Sequence, residues 1–228
     1  MTEAKKIRVK VKRRKLKLKN IFLALLIVIL FSGLVYLFIN IKIKNIYVID
    51  NKIVSDKEII YASKLNNYPP LLKISKKKIK NSVISNIPYI KDITIRKYPF
   101  KVYIYVIEHK VIALYNDKVL LDNGSLVDNT YDLRDYPILI SDISIVKDNF
   151  IYYFNKVDND IITKISQIEY VPNDVDKERF LLYMNDGNSV YITLTKIDKL
   201  NKYIKIISTL DGKNGIIYLD SGDYIELK

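Results

Sequence analysis

The 228 residues carry a formal net charge of +13, with one histidine and no cysteine. The missing thiols exclude cysteine nucleophiles, disulfides and thiolate metal sites, and a lone His109 excludes a histidine metal cluster. The charge is no nucleic-acid signature either: residues 1–20 hold ten Lys/Arg against Glu3, which is +9 of the +13 and leaves +4 for the rest, and no aromatic residue interleaves with those ten.

The basic stretch ends where Ile21–Ile39 begins. The run IFLALLIVILFSGLVYLFI contains no charged residue, and as a helix it reaches roughly 28 Å, close to the hydrocarbon thickness of a bilayer. A helix satisfies its own backbone groups in lipid, and the run lacks the polar stripe of a core helix. The chain continues as Asn40-Ile41-Lys42 without a small-residue cleavage site, so the segment reads as an uncleaved signal anchor. Positive flanking charge puts residues 1–20 in the cytoplasm and everything after Ile39 outside. Lys12, Arg13, Arg14 and Lys15 are then candidates for anionic head groups, at about 1 kcal/mol each.

After the anchor, Ile41–Asp50 alternates like a strand, with Ile46 and Val48 on one face and Tyr47 and Ile49 on the other. Ser55-Asp56-Lys57-Glu58 has capping-box spacing, and Val54 and Ile59 occupy the positions of a hydrophobic staple, so a short helix is expected from Asp56 to about Ser63. Pro69-Pro70 marks a loop. Ser75 can cap a second helix whose Ile79, Val83 and Ile87 make one apolar stripe ended by Pro88. Lys73, Lys76, Lys77, Lys78 and Lys80 cluster at its start, either as a solvated face or as a contact for lipid head groups or an acidic partner. Strands Ile90–Lys97 and Lys101–Ile107 follow; in the second, Val102, Ile104 and Val106 oppose Tyr103, Tyr105 and Ile107.

The order β-α-α-β-β behind a basic tail and one anchor resembles the POTRA module of the FtsQ/DivIB family of bacterial division proteins. The stretch Arg96-Lys97-Tyr98-Pro99-Phe100-Lys101-Val102-Tyr103-Ile104-Tyr105-Val106-Ile107-Glu108 is similar to the family's R-x-x-P, alternating strand and V-x-E run, carried here by Arg96, Pro99, Val106 and Glu108. Val111 stands where the family often has proline.

Later segments extend the resemblance. Val119–Val127 reads as two strands about an Asn123-Gly124 turn and resembles the family's L-x-D-x-x-G-x-V segment; Tyr136-Pro137-Ile138-Leu139 resembles its P-x-L strand. Ile145–Asn155 is a helix candidate of mixed pattern. Gln167–Tyr170, Phe180–Met184 and Ser189–Ile192 read as strands, the last two a hairpin about Asp186-Gly187. Ile197, Leu200, Ile204 and Ile207 predict an amphipathic helix, and Gly215–Asp220 and Asp223–Leu227 two closing strands. The expected fold is α+β: tail 1–20, transmembrane helix 21–39, POTRA domain 40–110, and a mixed, mainly antiparallel β domain 111–228.

Chemistry has few candidates. His109 sits beside Glu108 at a strand edge, Asp158 and Asp160 lie in a solvated loop, and no phosphate-binding glycine loop occurs. A non-enzyme without cofactor is therefore expected. The resemblance implies a division-septum scaffold binding bitopic FtsL/DivIC-type (or FtsB) partners outside the membrane in support of septal peptidoglycan synthesis. Strand addition at an edge suits that task, and Gly215, Ile216, Ile217, Tyr218, Leu219, Asp223, Tyr224, Ile225 and Leu227 form the candidate edge, some of them turned inward by alternation. A single-pass sensor with a ligand pocket in its second domain and a cell-wall enzyme with clustered carboxylates are the other classes.

Overall fold

A computed structural model describes residues 17–228; Lys12, Arg13, Arg14 and Lys15 lie outside the described residues. Helix α1 spans Leu18–Ile39 with no buried residue. It starts three residues before the apolar run because the amides of Asn20 and Ile21 both reach the Lys17 carbonyl (2.8 and 3.3 Å), so the backbone ladder extends past the point where the side chains turn polar. At 22 residues it is roughly 33 Å long, the length of a single-pass anchor.

The first module has β1 (Asn45–Ile49), α2 (Asp56–Ala62), α3 (Lys76–Asn86), β2 (Ile90–Tyr98) and β3 (Lys101–Glu108). Its sheet runs β1-β3-β2, with β1 parallel and β2 antiparallel to β3. The helices cover one face. Ile59, Ile79, Val83 and Ile87 pack with Ile93, Ile95, Val102, Ile104 and Val106, all 5% exposed or less. The alternation of β3 thus separates a buried row from Tyr103, Tyr105 and Ile107. Strand β1 is shorter than the alternation suggested, because the backbone of 41–44 is spent on loop contacts: Ile41 O accepts from Leu71 N–H, and the Lys44 amide bonds the Phe100 carbonyl. Ser55 caps α2 by accepting from the Glu58 amide at 3.3 Å. The Glu58 carboxylate, expected to close the capping box, takes the Tyr131 hydroxyl at 2.7 Å.

The second module is one nine-stranded sheet, β12-β11-β10-β9-β8-β7-β4-β5-β6. Its elements in chain order are β4 (Val111–Tyr115), β5 (Lys118–Leu121), β6 (Leu126–Asp128), β7 (Ile138–Leu139), α4 (Lys147–Phe154), α5 (Asn159–Ile162), β8 (Ile165–Tyr170), β9 (Arg179–Met184), β10 (Ser189–Thr193), α6 (Tyr203–Ile207), β11 (Gly215–Tyr218) and β12 (Tyr224–Leu227). The pairs β4/β7, β7/β8 and β10/β11 are parallel and the other five antiparallel. Phe150, Phe154 and Phe180 pack together in its core, with the Phe150 ring centroid 4.1 Å from that of Phe154 and 5.2 Å from that of Phe180.

Two local features depart from expectation. Most of the amphipathic helix anticipated from Ile197 to Ile207 is a 3₁₀-helix, Leu194–Lys202, continued by the short α6. The reason is in the spacing: Leu194, Ile197, Leu200 and Tyr203 recur every third residue and are all 1% exposed or less, whereas Ile204 is 46% exposed. A strict three-residue repeat lines up on a helix of three residues per turn. The other feature is the hairpin β4–β5, which is shared. Val111, Val119 and Leu121 belong to the core of the first module, while Ile112, Ala113 and Leu120 belong to that of the second.

Candidate partner-docking edge

The family-like residues of the first module serve its architecture. Glu108, at the end of β3, accepts backbone hydrogen bonds from Lys52 (3.1 Å), Ile53 (3.0 and 3.1 Å) and Val54 (2.9 Å). A carboxylate satisfying three amides fixes the turn between β1 and α2, which explains why Glu ends this strand. Val106 is buried, Arg96 lies over the Tyr105 ring at 5.1 Å, and Pro99 sits in the β2–β3 turn. Val111 is 2% exposed within the first module's core.

His109 and its surroundings are also a joint between modules. Its Nδ1 contacts Asp122, which Lys91 pairs at 2.8 Å, while its Nε2 faces Asn123 Nδ2 at 3.4 Å. Burial alone would raise the Asp122 carboxyl, but the hydrogen bonds from Lys91 and His109 prevail and hold it below the usual range. Lys110 donates to the carbonyls of Phe154, Asn155 and Val157 at the end of α4. Asp158 precedes α5 at its N-cap position and Asp160 is in the first turn; both are exposed. Among the described residues no group of three or more His, Asp or Glu side chains gathers as a metal site.

The C-terminal strands are arranged differently. Strand β11 lies between β10 and β12, and among the described residues β12 has no strand on its other side. Gly215, Ile217 and Leu219 face the core and are buried, with Ile217 and Leu219 at the floor of the groove beside this edge. A Cβ on Gly215 would come within 2.6 Å of the Glu226 carbonyl, so this position needs glycine for the close approach of β12. On the opposite face, Tyr218 stacks between Tyr191 (5.2 Å) and Tyr224 (4.5 Å), and Ile216 is half-buried. Asp223 is bound by Lys199 Nζ at 2.6 Å.

Strand β12 is exposed at all four residues. Its register with β11 pairs Tyr218 with Tyr224, Ile217 with Ile225 and Gly215 with Leu227. The core therefore stops one strand short: Ile217 is 1% exposed, while Ile225 and Leu227, in the same lateral rows, are 36% and 52% exposed. The hydrogen bonds follow the same alternation. Lys228 N–H bonds Asn214 O at 3.0 Å, and the Gly215 amide points the other way, to Asn188 Oδ1 at 2.8 Å. In an antiparallel ladder this makes Tyr224 and Glu226 the inward-bonding residues and turns the N–H and C=O of Ile225 and Leu227 outward.

Beside this edge runs a groove of about 420 Å3 lined by Lys199, Lys202, Lys205, Ile206, Tyr224 and Ile225, among others. Sequence reading missed its helical wall, although Lys199, Lys202 and Lys205 keep the same three-residue spacing as the buried row. Nearby, Arg179 Nε donates to Asp220 at 2.7 Å and its guanidinium stacks on Tyr191 at 3.9 Å. Burial would raise Asp220, but the hydrogen bonds from Arg179 and Ser221 hold it low.

A family model described as a POTRA domain of FtsQ type matches residues 41–109. The cell division protein DivIB of Bacillus subtilis is 34% identical over 194 residues, covering 81% of this chain and 74% of that protein. The chain belongs to the DivIB family of cell division proteins. The resemblance read from Arg96 to Glu108 and from the ordered later motifs is borne out. DivIB of Listeria monocytogenes is 30% identical over 200 residues, 81% of this chain and 72% of that one. The solved major extracytoplasmic domain of DivIB from Geobacillus stearothermophilus overlaps 46% of this chain and 96% of its own length at 27% identity, with a TM-score of 0.37.

Proposed function

We propose that this chain is a non-catalytic scaffold of the division septum. Its basic N-terminus stays in the cytoplasm, as its charge favours, and both modules stand outside, where they hold FtsL/DivIC-type bitopic partners in support of septal peptidoglycan synthesis. The partner adds a strand to β12. One observation carries this reading: the apolar rows of the sheet run on to Ile225 and Leu227 while the core beneath them ends at Ile217 and Gly215. Outward amides and carbonyls of Ile225 and Leu227 supply the bonds, and a partner strand covers the exposed row. Lys202 and Lys205 leave the adjoining groove basic, suited to a partner carrying acidic residues beside its strand.

Ile225→Pro tests the reading because it removes an outward-facing donor and no β11–β12 bond. Co-purification with the extracellular parts of FtsL/DivIC-type partners should fall about tenfold, the effect of losing interactions worth about 1.4 kcal/mol, with an unchanged circular dichroism spectrum. Glu226→Pro, which removes an inward bond, should instead lower the melting temperature. Full partner recovery with a folded Ile225→Pro variant sinks the proposal.

A further inference from the structure

The end of the first module nearest the anchor is built from three loops drawn together. Ile39 is the last residue of α1, the Asn40 amide group bonds back to Tyr36 O at 2.9 Å, and Ile41 O already accepts from Leu71 N–H at 2.8 Å. Ile43 N–H bonds Pro69 O at 3.3 Å, and the amides of Lys44 and Asn45 share the Phe100 carbonyl at 2.7 and 3.1 Å. Lys97 Nζ donates to Ile74 O at 3.0 Å. Between helix and module there is therefore a joint of one residue, Asn40, and two residues span at most about 7 Å. With α1 in a bilayer, the loop at 68–72 and the β2–β3 turn stand at the membrane surface.

Those loops expose apolar and aromatic side chains: Tyr68 is 47% exposed, Leu72 54%, Tyr98 48% and Phe100 43%. Phe100 holds φ at +64°, a region a bulky residue seldom occupies, and Lys44 Nζ lies 5.1 Å from its ring. The charge around them has one sign. Lys42, Lys73, Lys76 and Lys101 are exposed, and no Asp or Glu occurs in residues 40–49, 59–91 or 93–107. Amphipathic rings and long basic side chains are the groups that settle at a bilayer interface, the rings at head-group depth and the ammonium groups toward the phosphates.

We propose that this end of the module docks on the bilayer surface, with Tyr68, Leu72, Tyr98 and Phe100 seated in the interfacial layer and the lysines on anionic head groups. The occupant is lipid rather than an acidic protein because the chain itself delivers the surface to the membrane. Docking sets the attitude of the sheet and so the height at which the more distant module is held. It goes beyond the scaffold reading and does not depend on which partner binds β12.

The chain has no tryptophan, so an introduced one reports alone. Full-length Phe100→Trp and Leu72→Trp proteins would be placed in nanodiscs containing phosphatidylglycerol and a chain-brominated lipid, with Tyr152→Trp on α4 as the distant control. Both probes should emit at shorter wavelength and be quenched about twofold, as expected at interfacial depth, while the control is unquenched. Adding Lys73→Glu and Lys76→Glu, or replacing phosphatidylglycerol by phosphatidylcholine, should restore much of the emission. Probes as bright as the control overturn docking and leave the patch to an acidic protein; quenching indifferent to both charge changes overturns the choice of anionic lipid.

Discussion

The two ends of the nine-stranded sheet are finished in opposite ways. At the β6 end, Val127, Tyr131 and Leu133 pack against the core of the first module, Tyr89 donates to the Asp128 carbonyl at 2.8 Å, and Tyr131 reaches Glu58. At the β12 end, four exposed residues close the sheet, and Ile225 and Leu227 extend an apolar row past the buried core, beside the groove walled by Lys202, Lys205 and Ile206. A sheet edge is a template for another chain unless something covers it. Here one edge is tied to the chain's own neighbouring module through Val127, Asp128 and Tyr131, although Leu126 stays exposed, and the other is left bare, so the tied end locates the sheet and the bare end is available for work.

The largest test of that contrast compares equivalent truncations. Leu121→Ala empties a fully buried position between the two modules and should cost about 2–5 kcal/mol, from transfer and cavity terms together. Leu227→Ala at the bare end should change stability by less than about 0.5 kcal/mol, yet weaken partner capture. Urea titration and pull-down measure the pair, and similar stability losses at both ends would erase the distinction.

Glu108→Ala should come next, at about 1–3 kcal/mol, because three loop amides lose their acceptor. Its effect belongs to the first module, so hydrogen exchange should quicken at residues 52–54 before it does in β11 or β12. The smallest effect is a matter of acid. Asp122 and Asp220 are both held below the ordinary carboxylate value of about 3.9. With the folded value lower, the unfolded chain binds protons first, so their stabilisation is complete above the unfolded value and is lost as pH falls through the folded one. Asp122→Asn should flatten part of that acid limb in a melting-temperature series; an unchanged slope below about pH 4 would show that the Lys91–Asp122–His109 group contributes nothing to joining the modules.

The elements that sequence located well were those with local signatures. Ser55 and Ser75 cap helices as their spacing suggests, the Asn123-Gly124 turn joins β5 and β6 with Gly124 at φ +80°, and β3 alternates as written. From Ile197 the sequence carries two periods at once: the 3, 4, 3 spacing of Ile197, Leu200, Ile204 and Ile207 satisfies an α-helix, while the three-residue row that starts at Leu194 is the one the fold buries. Local spacing places the Glu58 carboxylate on its own helix, and no local rule can foresee a hydroxyl arriving from Tyr131, 73 positions later. For the candidate edge, composition picked out the segment, but it was the register that divided it into buried Gly215, Ile217 and Leu219 and exposed Tyr224, Ile225 and Leu227.

Sequence by itself determined the apolar span, the asymmetry of charge about it, the order of the elements and the membership of a division-protein family, since each is a property of neighbours along the chain. Tertiary structure alone decided that the hairpin β4–β5 serves two cores, that Glu108 closes a loop more than fifty residues away, and that β12 ends the sheet with exposed residues along its outer edge. Those are contests between distant groups for the same hydrogen bonds and the same buried space, and only the folded chain shows which of them won.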